Sequence, residues 1–123
     1  MEIGSGLTDG ATIVISPNAD LADGPKGRIA KVRVLGPYPD GSASDFEVRF
    51  FAAAIGIDED PVTGSLNANL ARWLIDTGRA PAAYVAAQGT AMGRAGRVHV
   101  ARVGADTWIG GDVTPLIHGQ VRL

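Results

Sequence analysis

Asp60-Pro61-Val62-Thr63-Gly64-Ser65-Leu66-Asn67-Ala68-Asn69-Leu70-Ala71-Arg72-Trp73-Leu74-Ile75-Asp76-Thr77-Gly78 is the stretch that decides the fold. Its pattern predicts a helix over 63–77, with Gly78 in the position of a C′ glycine. A helix turns by about 100° per residue. Ser65, Asn69, Arg72 and Asp76 therefore share a narrow polar stripe. Leu66, Leu70, Trp73 and Leu74 take the opposite side, and Ala68, Ala71 and Ile75 fill most of the rest. A helix that is apolar over most of its circumference is buried over most of it.

Working outward, the flanks read as strands. Upstream, Ala11 to Ile15 is β-branched, and Lys31 to Leu35 alternates. Phe46 to Phe50 alternates too, with Phe46, Val48 and Phe50 on one side. Residues 16–28 hold Pro17, Gly24, Pro25 and Gly27 and read as a loop with one short turn around Ala19 to Ala22. Downstream come Ala83 to Gln88, Arg97 to Val103, Thr107 to Ile109 and Val113 to Leu123. Gly104-Ala105-Asp106 is a tight hairpin turn. Strands, one helix, then strands make an α+β chain rather than a doubly wound sheet. The simplest arrangement is a mixed, curved β-sheet wrapped around one central buried helix.

The 123 residues fit one domain, with 46% apolar and 20% charged residues, as in an ordinary globular protein. Formal net charge is -2 and the basic residues are scattered, so the basic face that nucleic acid requires is missing. Having no cysteine excludes disulfides, thiolate catalysis and Cys-based zinc sites. No apolar run approaches the roughly 20 residues of a membrane span. Met1-Glu2-Ile3-Gly4-Ser5 has no signal-peptide character. The expected setting is the cytoplasm.

The start of the helix has two readings. In the first, Asp60 caps the helix, Pro61 takes its first position, and Asp58, Glu59 and Asp60 face the positive end of its dipole. In the second, exposed N–H groups at the start bind an anion such as a carboxylate. Gly64 then lets the ligand approach the backbone, and Ser65 adds a hydroxyl. Asn67 points toward the apolar side, where it requires a backbone or substrate partner.

The other candidates read as structural. Arg94 and Arg97 lie in a Gly-rich turn without a P-loop pattern. His99 falls on the polar side of its strand, and neither it nor His118 has triad spacing. Glu47 lies opposite the apolar face of its strand and is expected to be solvated. Arg72 and Asp76 form an i,i+4 pair.

Four segments together resemble the PhzF-like isomerase family. Gly56 to Ser65 resembles its G-x-x-E-D-P-V-T-G-S signature, and Arg49-Phe50-Phe51-Ala52 resembles the R-x-F-A-P segment before it. Gln88-Gly89-Thr90-Ala91-Met92-Gly93-Arg94-Ala95-Gly96-Arg97 resembles the Q-G-x-x-x-G-R-x-G-R stretch, and Trp108-Ile109-Gly110-Gly111 the V-x-G-G turn. The resemblance assigns residues 31–123 to a C-terminal domain and leaves 1–30 as a weakly matched strand and loop.

It implies one half of a diaminopimelate-epimerase-like fold, in which two similar halves face each other across a cleft. It also implies isomerase or epimerase chemistry, a cofactor-independent and metal-independent acid–base proton transfer on a small carboxylate-bearing substrate. By the same resemblance Asp60 lines the cleft as the catalytic carboxylate, while Gly64 and Ser65 hold the substrate. Leu66-Asn67 stands where the family often has a small residue followed by His or Cys. The family's general-base glutamate belongs to the N-terminal half, and Glu2 lacks the context for that role. The chain is thus expected to act with a partner, either a separate N-terminal half or a second copy in a homodimer. The alternative is a non-catalytic small-anion-binding or dimerisation module that keeps the fold without the base.

Overall fold

Alternating apolar and polar residues build most of the sheet. A computed structural model describes residues 12–17 and 29–123. Its strands are β1 (Thr12–Pro17), β2 (Ile29–Pro37), β3 (Phe46–Phe51), β4 (Ala83–Gln88), β5 (Gly96–Val103) and β6 (Asp106–Gly110). The helix α1 (Gly64–Asp76) lies between β3 and β4. Met1–Ser5, Ala11 and the expected turn around Ala19 to Ala22 lie outside the described residues.

The six strands pair in sequence order. Every neighbouring pair is antiparallel except β3–β4, which α1 connects and which runs parallel. A parallel pair needs such a crossover. Gly104-Ala105 forms the tight β5–β6 turn between Val103 and Asp106, and Gly104 takes φ 61°. The chain is therefore α+β, a mostly antiparallel sheet with one helix.

Leu66, Leu70, Ala71 and Leu74 of α1 pack on Leu35, Val48, Phe50, Tyr84, Ala86, Val98 and Val100, which all face one side of the sheet. Phe46 and Tyr84 meet edge to face, with ring centroids 5.2 Å apart. Full burial of each large side chain in this layer contributes roughly 1.5–3 kcal/mol. Val32 and Val34 are buried on the other face of β2. That strand consequently has apolar residues on both faces, where the sequence predicted only one.

Three local expectations change. The helix keeps one side open, with Trp73 36% exposed beside the exposed Ser65, Asn69, Arg72 and Asp76. Asp76 pairs with Arg102 of β5 rather than with Arg72, because the packed sheet offers it a guanidinium from across the fold. Residues 113–123, read as a last strand, form neither strand nor helix and, like Gly111 and Asp112 before them, are exposed throughout. The helix C-terminus follows its prediction: Gly78 adopts φ 68°, its N–H donates to Ile75 O, and the Arg79 N–H donates to Leu74 O.

Burial, with a smaller contribution from Asp45, pushes the Tyr84 pKa up to about 12. A pKa above the unfolded value of about 10 means stability that is whole below pH ~10 and lost as pH climbs toward ~12. Tyr38, raised mainly by its bond to Glu47, acts in the same direction. Urea unfolding should show this alkaline loss, and Tyr84→Phe should flatten it.

Candidate functional site

β4 stops at Gln88, while β3 alongside it continues past the last paired residue, Val48, to Phe51. Segment 60–63 occupies the space beyond that stop, where the Asp60 N–H donates to Phe50 O at 2.9 Å. Gln88 holds the segment in place. Its parity with Tyr84 and Ala86 turns its side chain toward the helix, and it is fully buried at 0% exposure.

Buried polar groups require partners, and the Gln88 carboxamide has four. Its Oε1 accepts from the Thr63 N–H at 3.1 Å and from Asn67 Nδ2 at 2.9 Å. Its Nε2 donates to Asp60 O and to Thr63 Oγ1, each at 3.0 Å. Asn67, 1% exposed, also donates from Nδ2 to Thr63 O at 2.9 Å. Both donor protons of Asn67 are thus engaged within the chain.

Two glycines make room for this segment. A Cβ on Gly89, which has φ 83°, would lie 2.7 Å from Pro61 O. A Cβ on Gly96 would lie 2.5 Å from both Gln88 O and Val62 Cγ2. Backbone this close admits no side chain. Glu59 ties the other end of the segment to β3 through a two-pronged bond with Arg49, both contacts at 2.8 Å. Those bonds raise the Arg49 pKa, against the opposing effect of burial. The guanidinium also lies 4.9 Å from the Phe51 ring centroid.

Asp60 does not cap the helix. Thr63 is the N-cap residue and its side chain makes no capping bond. The Thr63 hydroxyl instead donates to Asp60 Oδ2 at 2.6 Å. With Asp60-Pro61 placed before the cap and Glu59 engaged by Arg49, the helix has no acidic residue in its first turn. The amides of Gly64, Ser65 and Leu66 have no acceptor among the described residues. Gly64 and Ser65 are exposed, and a Cβ on Gly64 would meet nothing within 4 Å. Unsatisfied N–H groups, the positive end of a dipole, a hydroxyl and a half-buried carboxylate therefore lie along one short stretch of chain.

These connections join three of the four sequence segments, Arg49 to Ala52, Gly56 to Ser65 and Gln88 to Arg97. The family model described as "Phenazine biosynthesis-like protein" (PhzC-PhzF) matches residues 10–119. The chain belongs to this family. No curated protein and no solved structure matches it.

In this family member, Asp60, Gly64 and Ser65 lie together at the helix start, and Asn67 lies beneath them against Gln88. The functional reading of the sequence missed Gln88 and the Thr63 hydroxyl. Parity could have found Gln88, since a glutamine at a core-facing position poses the same question as Asn67. Glu47 is half-buried rather than solvated, because its Oε2 accepts from Tyr38 at 2.5 Å and from Thr90 at 2.9 Å. His99 is exposed between the buried Val98 and Val100, as its alternation predicts. Among the described residues, no three His, Asp or Glu side chains gather as a metal site.

Gly96→Ala should lower stability by about 1–3 kcal/mol in urea unfolding, because one of the two obstructing atoms, Gln88 O, is backbone. Gly64→Ala should stay within about 1 kcal/mol of wild type, since its added Cβ meets open space.

Proposed function

We propose that this chain is the substrate-holding half of a PhzF-like isomerase or epimerase. The free amides of the α1 start beside the Asp60 carboxylate are the observation that carries the reading. In it, the substrate carboxylate docks on the Gly64 and Ser65 amides and the Ser65 hydroxyl. Asp60, oriented by Thr63, orients the substrate or transfers a proton to it. Asn67 supports the site from below through Gln88.

Acid–base isomerisation requires two groups within hydrogen-bond reach of the migrating proton. Asp60 supplies one, and a glutamate from a facing half supplies the other. That half is a separate N-terminal domain, and the cytoplasm is the setting; a second copy of this chain in its place would bring its own Asp60 and Ser65 to the cleft rather than the glutamate. Closure by that domain explains why Gly64 and Ser65 stand open. In the assembled protein the sheet curves around α1 and covers Trp73 and the groove of about 330 Å³ that it lines with Arg33, Leu66, Asn69 and Leu70.

Two measurements test this reading. Calorimetry with small carboxylates should detect binding, and Ser65→Ala should weaken it about tenfold or more, as expected for a lost hydrogen bond to a charged group. With a glutamate-bearing half added, a small acid substrate should take up deuterium from solvent, and Asp60→Asn should abolish the uptake. Binding without exchange at a complete site would point instead to an anion-binding module. Absence of binding by the wild type would remove both readings.

A further inference from the structure

The two oxygens of the Asp60 carboxylate are not equivalent. Oδ2 accepts from the Thr63 hydroxyl at 2.6 Å. Oδ1 accepts from no described residue, and it is not a buried atom: among the described residues, only Ser44 Oγ is both buried and unpartnered. One oxygen is therefore tied to the chain and the other meets solvent.

The difference originates at Gln88. The oxygen and nitrogen of a carboxamide are told apart by what they face, and two backbone groups decide the matter at this position. The Thr63 N–H can only donate, so it faces Gln88 Oε1, at 3.1 Å. The Asp60 carbonyl can only accept, so it faces Nε2, at 3.0 Å. The second Nε2 proton goes to Thr63 Oγ1. Asn67 fills the remaining lone pair of Oε1, which leaves no acceptor for the Thr63 hydroxyl on Gln88. Thr63 Oγ1 makes no capping bond either. Its single proton is thus directed to Asp60 Oδ2.

We infer that Gln88 is a positioning residue for the acid–base step: acting through Thr63, it reserves Asp60 Oδ2 as a permanent acceptor and makes Oδ1 the oxygen that carries and exchanges the proton. This rests on the reading of Asp60 as an acid–base group. A proton on Oδ2 would set two O–H groups against each other, and Thr63 has no second acceptor to turn to. A proton on Oδ1 meets no such conflict. When Asp60 acts as the acid, the Oδ1–H bond breaks, the substrate gains the proton and a carboxylate remains. The Thr63 O–H and Gln88 N–H bonds stay intact, so the chain of bonds orients the carboxylate without conducting a proton. The substrate meets one oxygen of a group whose other oxygen is anchored to the buried layer, which fixes its line of approach.

NMR of the chain, with 13C-labelled aspartate and asparagine, tests the assignment without a ligand. The wild type should show a slowly exchanging Thr63 hydroxyl proton coupled across the hydrogen bond to Asp60 13Cγ. Thr63→Ser should keep this correlation. Asp60→Asn places a donor on one of the two positions, as protonation does. Its carbonyl should take the Oδ2 place and keep the coupling, while its NH2 exchanges at the rate of a free amide. Adding Gln88→Leu should abolish that preference, so that both orientations are seen. An NH2 in Asp60→Asn that is protected and faces Thr63 would overturn the proposal. So would an orientation that is unchanged by Gln88→Leu. If the double variant does not fold by far-UV circular dichroism, Asp60→Asn alone still decides, because its two orientations give opposite exchange rates. Deuterium uptake tests the isomerase reading separately, so failure of that reading and failure of this assignment give different results.

Discussion

The fully buried carboxamide of Gln88 is the constraint on which the rest of this structure depends. It uses both oxygen lone pairs and both amide protons to hold Asp60, Thr63 and Asn67. A buried amide without partners costs several kcal/mol, so the four bonds stand or fall together. They place the signature segment over the end of β4 and set the point at which α1 begins. Gly89 and Gly96 let the segment lie that low, and Arg49 holds its upstream end through Glu59.

The same interactions account for the chemistry available at the site. Ordinarily, carboxylates before a helix would cap it and use up its positive end. In this chain each carboxylate with a partner is directed elsewhere: Glu59 to Arg49 and Asp60 to the Thr63 hydroxyl. The first helical amides remain available to an external anion, with Asp60 beside them. A site of this kind is sterically open, with Gly64 and Ser65 both exposed.

Much of the architecture was legible in the sequence, because period-two and helical patterns specify elements directly. The Phe46, Ala83 and Arg97 strands, the helix from Gly64 and the αL role of Gly78 all follow from pattern and composition. The functions of particular polar side chains were less legible. The sequence places Asp60 next to a helix, but only the fold shows that Thr63, not Asp60, occupies the N-cap position. The i,i+4 relation of Arg72 and Asp76 is real, yet Arg102 outcompetes Arg72 from a strand 26 residues away from Asp76. The tail from Val113 to Leu123 has a strand's alternation, but a strand also requires an edge, and no edge among the described residues takes it.

Amide hydrogen exchange across residues 60–67 tests the central claim most directly. The account predicts slow exchange at Thr63 and Asn67 and fast exchange at Gly64, Ser65 and Leu66. In Gln88→Leu, Thr63 protection should collapse while β5 and β6 amides stay protected. Unchanged Thr63 protection in that variant, or slow exchange at Gly64 and Ser65 in the unliganded wild type, would contradict it.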